Sequence, residues 1–194
     1  MIIAHPFAGV CITHFVASQW KKLNTKQQTL IWITGITASV LPDFDLILTP
    51  FFPNIPHHLF ITHTPMFYLI IGLFLASVLL YLEKVKKQNV LFLEKLLIVW
   101  LVNVLIHILL DAIAGNIQLL WGADLATYNL FPIPSTNWIN NYLRSPAILA
   151  EVVSIFFGSI SLFIIRKEKY FMAALTSLIL WFTIAIFMTF TLIL

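Results

Sequence analysis

Apolar runs close to the length of a membrane-spanning helix recur along the chain, and they limit its fold more than any other feature. They cover residues 2–20, 28–42, 64–82, 90–113, 146–165 and 171–194. A helix needs about 20 such residues to cross roughly 30 Å of hydrocarbon. With a mean hydropathy of +0.96, the chain is predicted to form an all-α, polytopic membrane helical bundle of about six transmembrane helices. The second run is the shortest and also suits a re-entrant helix.

Basic residues are distributed unevenly between the two ends of these runs. Ten of the eleven lie in or around the connections that follow the first, third and fifth runs: Lys21, Lys22, Lys26, Lys84, Lys86, Lys87, Lys95, Arg166, Lys167 and Lys169. Only Arg144 falls at the other end. The positive-inside rule then places these three loops in the cytoplasm and both termini outside it. Topology accounts for the net charge of +3, so the lipid bilayer is the expected partner and no nucleic acid is predicted.

Five of the eight acidic residues map to the opposite, extracytoplasmic end, together with five of the six histidines. These acids are Asp43, Asp45, Asp111, Asp124 and Glu151. Only 10% of the chain is charged, and clustering ionisable groups beside apolar helices costs solvation energy unless a partner compensates it. A bound metal ion is the simplest such partner. We therefore expect a membrane-embedded metal site that faces the extracytoplasmic side.

Three short segments bring candidate ligands to that end. His5 precedes Pro6, a residue favoured in the first turn of a helix, and so lies at the outer mouth of the first helix. Asp43 and Asp45 follow the second run in the sequence Leu-Pro-Asp-Phe-Asp. His58 and His63 lie in the loop before the third helix, which we expect to begin with Thr64 as N-cap and Pro65 as first residue.

The fourth run contributes a regularly spaced set. Asn103, His107 and Asp111 are four residues apart, so all three lie on one helix face at a spacing suited to metal ligation. The alternative is a polar seam that hydrogen-bonds across helices. His14 lies about 13 Å deeper than His5 and on the opposite face of its helix. We expect it to be a neutral histidine bonded to a neighbouring helix.

Two loops on the same side carry aromatic residues and prolines. Residues 46–56 contain three prolines and two phenylalanines, which favours an extended or re-entrant lid over a helix. Between residues 115 and 144 lie Trp121, Tyr128, Phe131, Trp138 and Tyr142. These are typical of an aromatic belt at the membrane interface, with a loop that grips substrate as the alternative.

The donor types define the chemistry. We expect His5, Asp43, His58, His63, His107 and Asp111 to be metal ligands, with Asp45 or Glu151 as general base or as the residue that orients a ligand. Nitrogen and oxygen donors suit one or two divalent ions, with Zn expected first and Mn or Fe as alternatives. The chain has one cysteine, which excludes a thiolate zinc site. No nucleophile-elbow serine or phosphate-binding glycine loop is present, so the metal has to carry the reaction.

The order of four motifs resembles the YdjM-like family of inner-membrane proteins. Its patterns are an N-terminal histidine, Leu-Pro-Asp-x-Asp, His-Arg-x-x-Thr-His-Ser and His-x-x-x-Asp, and they match this chain over roughly residues 1–122. The resemblance implies a metal-dependent hydrolase in the cell inner membrane. Members are also described as LexA-binding and as distantly similar to zinc-dependent phospholipase C. Leu59 stands where the family has arginine and Thr64 where it has serine, so a potential phosphate clamp is missing.

Two functions follow as hypotheses. The first is a membrane-bound metal-dependent hydrolase of a lipid or lipid-linked phosphoester at the extracytoplasmic face. The alternative is an ion or proton-coupled transporter that uses the same His/Asp cluster as a relay. A partner-binding membrane anchor is a third possibility. In each case residues 1–194 are expected to form one membrane-embedded domain, with a metal-site core in 1–122 and a scaffold in 146–194.

Overall fold

The computed structural model describes residues 4–20, 23–52, 54–55, 57–120, 127–131 and 138–193, with the backbone alone at 57, 114, 138, 139 and 185–193. Seven α-helices are formed within these residues: α1 (Ala4–Ser18), α2 (Thr25–Ala38), α3 (Pro65–Lys84), α4 (Leu91–Ala114), α5 (Trp138–Arg144), α6 (Ala147–Ile165) and α7 (Phe171–Ile193). Three 3₁₀ segments lie between α2 and α3, at Pro42–Leu48, His57–Leu59 and Ile61–His63. The all-α fold class is confirmed.

The expected number of about six spans is too high for the described residues. Three helices, α3, α4 and α6, are long and apolar enough to cross a membrane. A fourth span arises only if α2 and the 3₁₀ helix Pro42–Leu48, which are bent by 50° relative to each other, are taken together. α1 has 15 residues, or roughly 22 Å of helix, and α7 contributes a shorter apolar stretch, Phe171–Ile184. Some apolar runs of the sequence therefore form helices that are shorter than a membrane span.

α1 lies at the centre of the bundle and packs against α2, α4 and α6. Small residues allow the close approach. A Cβ atom added at Gly35 in α2 would lie 1.9 Å from the Thr13 hydroxyl oxygen, and one added at Gly158 in α6 would lie 2.6 Å from the Phe7 carbonyl oxygen. Helices in membranes associate through such small residues, since their backbones then come into van der Waals contact.

The break between α2 and α3 positions the candidate ligands. α2 begins with a capping box formed by Asn24 and Gln27 and ends at Ala38. The 3₁₀ helix then starts at Pro42, which has no N–H to continue the hydrogen bonding of α2. Thr64 lies at the N-cap position of α3 as expected, but its hydroxyl donates to the Ile61 carbonyl. Where an extended or re-entrant lid was expected at 46–56 rather than a helix, the structure places residues 46–48 in the 3₁₀ helix Pro42–Leu48.

The candidate ligands just before α3 and on α4 lie at the opposite end of the bundle from the lysines of the loop between these helices. His63 precedes α3, which ends at Lys84, and Asp111 lies in the last turn of α4, which begins at Leu91. Lys21 and Lys22 lie outside the described residues. The structure thus separates the basic loop between α3 and α4 from the acidic and histidine-rich end.

Candidate metal centre

Four side chains from three separate segments converge at this end of the bundle. Asp43 comes from the 3₁₀ helix, His63 from the last 3₁₀ turn, and His107 and Asp111 from α4. Each offers one ligand atom, and these four atoms all lie within 4.8 Å of one another. The side chain of Asp43 is 28% exposed, whereas those of His63, His107 and Asp111 are buried. We call these four residues the metal cluster.

The hydrogen bonding of His107 fixes which of its ring nitrogens faces the cluster. Nδ1 lies 2.7 Å from the Ser39 carbonyl oxygen, which only accepts, so Nδ1 carries the hydrogen. Nε2 then has a lone pair in the neutral ring and lies 3.0 Å from Asp111 Oδ2, a second acceptor. Two acceptors at this distance require a cation between or beside them, either a proton or a metal ion. This arrangement therefore fits a metal ion.

His63 is oriented in the same way by a carboxylate. Its Nδ1 donates to Asp45 Oδ2 over 2.7 Å, and the Thr62 hydroxyl donates to the same oxygen. Its Nε2 lies 3.5 Å from Asp43 Oδ1 and 3.4 Å from Asp111 Oδ2. A histidine whose outer nitrogen donates to a carboxylate is the usual form of a metal-binding histidine. Asp45 therefore orients His63.

The charge of His63 depends on its neighbours. Burial lowers the pKa of its imidazole, but hydrogen bonds with Asp111, Asp43 and Asp45 outweigh burial and raise this pKa well above 6.5. In the metal-free protein a proton on Nε2 accordingly provides the positive charge that the carboxylates need. A divalent ion in the cluster has to replace that proton.

His5 joins the two carboxylates of the cluster from the α1 side. Its ring stacks on that of His107 with the centroids 3.8 Å apart. Nδ1 lies 3.3 Å from Asp43 Oδ2, and Nε2 lies 3.1 Å from Asp111 Oδ1. The other oxygen of each carboxylate, Asp43 Oδ1 and Asp111 Oδ2, faces Nε2 of His63. The structure thus brings His5 to the cluster as a bridge between carboxylates, and its role as a ligand stays a prediction.

His58 lies at the edge of the cluster. Its side chain is 21% exposed, and its Nδ1 is 4.0 Å from Asp111 Oδ2. Burial lowers the pKa of His58 to about 4, with Asp111 opposing the shift only in part. The ring is therefore neutral near pH 7, the form that a metal ligand requires. Like that of His5, its role as a ligand stays a prediction.

Glu151 lies on α6 and makes a different contact. Its Oε1 accepts a hydrogen bond of 2.6 Å from the Tyr142 hydroxyl, and its side chain is buried. Burial raises the pKa of Tyr142, and the bond to the Glu151 carboxyl raises it further. Glu151 is not one of the four cluster residues. Its expected role as a base stays a prediction.

Two polar residues considered in the sequence analysis, Asn103 and His14, lie outside the cluster, and Ser39 is a partner that the sequence did not predict. Asn103 donates to the Thr13 hydroxyl and to the Val99 carbonyl, so it forms the interhelical seam that was the alternative to ligation. His14 lies beside Trp32 with ring centroids 6.3 Å apart. Ser39 was not anticipated, because it acts through a backbone carbonyl that leaves no side-chain pattern.

Thr62 and Tyr142 were also missed as partners of the site residues. Thr62 lies within the Thr-His pair of the third motif, which offered a signal, whereas Tyr142 was assigned to an aromatic belt. Among the other belt residues, Tyr128 and Phe131 are exposed. Asp124 and Trp121 lie outside the described residues, as do the side chains of His57 and Trp138.

Two histidine nitrogens and two carboxylate oxygens form a donor set that suits Zn, Mn or Fe. The sequence profile described as YdjM inner membrane protein matches residues 1–192. The chain belongs to the YdjM inner membrane protein family. Membership of the YdjM family confirms the resemblance, and the matched region continues beyond the motifs, which cover roughly residues 1–122. No curated protein and no solved structure shows significant similarity to the chain.

Proposed function

We propose that the protein is a metal-dependent hydrolase that cleaves a lipid or lipid-linked phosphoester at the extracytoplasmic face of the inner membrane. The observation that carries this proposal is the convergence of His63, His107, Asp43 and Asp111 within 4.8 Å. Both histidines present Nε2 to the cluster because Nδ1 is held by Asp45 in one and by Ser39 in the other. Such pre-orientation supports a site built for a divalent cation.

The residues divide into those that hold the ion and those that position its ligands. Asp43, His63, His107 and Asp111 hold it, and His5 fixes the two carboxylates relative to each other. A divalent ion bound here supplies a low-pKa water and polarises a phosphoryl oxygen. Asp43 and His58 are the partly exposed residues of this group, so we expect substrate to approach the cluster past them.

The proton-transfer role falls to Glu151. Asp45 accepts hydrogen bonds from His63 and Thr62 on Oδ2, so its carboxylate serves to orient a ligand, although its Oδ1 has no hydrogen-bond partner among the described residues. Glu151 is buried, and only one of its oxygens is bonded to Tyr142 in the described part of the chain. We assign Glu151 as the general base, because its carboxylate can accept a proton and, unlike that of Asp45, is not bonded to a histidine of the metal cluster.

The transporter hypothesis has less support. A relay needs titratable groups that continue through the bundle from the cluster. One helical turn deeper than His107, the described residues offer Asn103 and Thr13, neither of which titrates. Proton or metal flux in proteoliposomes that is lost in His107→Ala would favour transport over hydrolysis.

Metal content and hydrolysis together test the proposal. Protein purified in detergent should contain near-stoichiometric Zn, Mn or Fe by elemental analysis and should hydrolyse bis(p-nitrophenyl) phosphate or phospholipid vesicles. The variant His63→Ala should lose both properties. His14→Ala is the matched control, because it removes a histidine that lies outside the cluster, and it should keep both. A folded, metal-free protein that cannot be loaded with any of the three ions would refute the assignment.

A further inference from the structure

An exposed apolar segment connects Asp45 to His58, and we refer to residues 46–55 as the apolar segment. Its large side chains are exposed as follows: Ile47 58%, Leu48 42%, Phe51 75%, Phe52 49% and Ile55 40%. No charged residue occurs between Leu46 and Pro56. Contiguous apolar surface of this kind normally marks an interaction with another protein or with a membrane.

Several backbone N–H groups of the apolar segment are paired with carbonyls of the same segment. The N–H of Thr49 donates to the Leu46 carbonyl over 3.2 Å, that of Phe51 to the Leu48 carbonyl over 2.9 Å, and that of Ile55 to the Phe52 carbonyl over 3.0 Å. The sequence places proline at 50 and 53, which removes two further donors. Internal pairing of backbone groups is what contact with hydrocarbon demands, because lipid offers no hydrogen-bond partners.

Aromatic contacts are made close to both ends of the apolar segment. At its start, the ring of Phe44 packs edge-on against that of Trp181 in α7 with centroids 4.9 Å apart. Near its end, the rings of Phe52 and Phe60 meet in the same way at 6.1 Å. The side chains of Asp43 and His58 are 28% and 21% exposed. The opening of the metal cluster therefore lies next to both ends of the apolar segment.

We propose that the apolar segment inserts into the leaflet on the metal-cluster side, so that a lipid phosphoester reaches the cluster past Asp43 and His58 while its acyl chains stay in the bilayer. The first half of this proposal stands on the apolar segment alone, and the second half rests on the proposed function. A bilayer is favoured over a protein partner because the segment continues directly from the bent span of α2 and Pro42–Leu48. The segment also contains no charged side chain, whereas a protein docking surface has a polar rim around its apolar centre.

Spin labelling tests the insertion independently of catalysis. Cys11 is the one cysteine in the chain, so Cys11→Ala provides a background for Phe51→Cys. In phosphatidylcholine–phosphatidylglycerol vesicles, a label at 51 should collide more with oxygen than with a water-soluble nickel chelate. The matched control is Gln88→Cys, at an exposed position between α3 and α4. A label there should collide more with the nickel chelate than with oxygen. A label at 51 that is as accessible to nickel as the label at 88 would overturn the proposal.

The substrate route is tested with Phe51→Asp. Its turnover of phospholipid vesicles should fall roughly tenfold or more, since burial of a phenylalanine side chain is worth about one to two decades of binding. Its metal content and its turnover of bis(p-nitrophenyl) phosphate should match the wild type. An equal loss on both substrates would contradict lateral access. If the wild type cleaves neither substrate, the proposed function fails, while the spin-label result still decides whether the segment is inserted.

Discussion

The orientation of His63 by Asp45 leads to a quantitative prediction for Asp45→Asn. The carboxylate is buried at 3% exposure and accepts the Nδ1 hydrogen of His63 over 2.7 Å. An asparagine oxygen can accept the same hydrogen, so the substitution removes the charge but keeps the geometry. The effect on metal binding therefore reports how much the charge contributes.

The magnitude follows from the strength of the bond. A hydrogen bond to a charged group contributes about 1.5–3 kcal/mol and a neutral one about 0.5–1.5 kcal/mol. The difference of about 1–2 kcal/mol corresponds to roughly five- to thirtyfold in metal affinity. This estimate overlaps the loss of about 10- to 100-fold that is typical when the partner of a metal-binding histidine is replaced.

The assay is a competition titration of Zn²⁺ against a chromophoric chelator, with the protein in detergent at fixed pH. Glu151→Gln is the matched control, because it also changes a buried carboxylate to an amide but contacts Tyr142 rather than a cluster histidine. Asp45→Asn should bind Zn²⁺ roughly five- to thirtyfold more weakly, and Glu151→Gln should bind it as the wild type does. Equal affinities in the wild type and Asp45→Asn would refute the role of Asp45.

Three further predictions concern pH, substrate and packing. The pKa of His63 is raised well above 6.5, and its proton has to leave before a metal ion binds. Metal affinity should therefore already weaken as the pH falls from about 8 to about 6. A metal titration that gives the same affinity across this range would contradict the prediction. Leu59→Arg restores the family arginine and should increase turnover of bis(p-nitrophenyl) phosphate by about tenfold or more, whereas Leu59→Lys should help less. Gly158→Ala should lower the free energy of unfolding by about 1–3 kcal/mol, because its Cβ would meet the Phe7 carbonyl at 2.6 Å. In thermal melts Gly72→Ala, which meets only the Leu101 side chain at 3.3 Å, should be milder.

The positions of the helices could be predicted because hydropathy is a property of local sequence. The run at 64–82 corresponds to α3, Pro65–Lys84, and the run at 146–165 to α6, Ala147–Ile165. The number of spans was overestimated, since the described residues of the run at 2–20 form a helix of 15 residues. Whether an apolar run reaches across a bilayer depends on where the helix begins and ends, and composition does not determine those points.

The sequence by itself also determined which residue types could bind a metal, because few polar groups occur in so apolar a chain and the spacing of His107 and Asp111 follows from the helical repeat. Tertiary structure decided how those groups are used. It separated Asn103 from the cluster, assigned Asp45 to His63, and supplied the Ser39 carbonyl that selects the tautomer of His107. These choices depend on distances between atoms on different helices, which only the packing of α1, α2 and α4 sets.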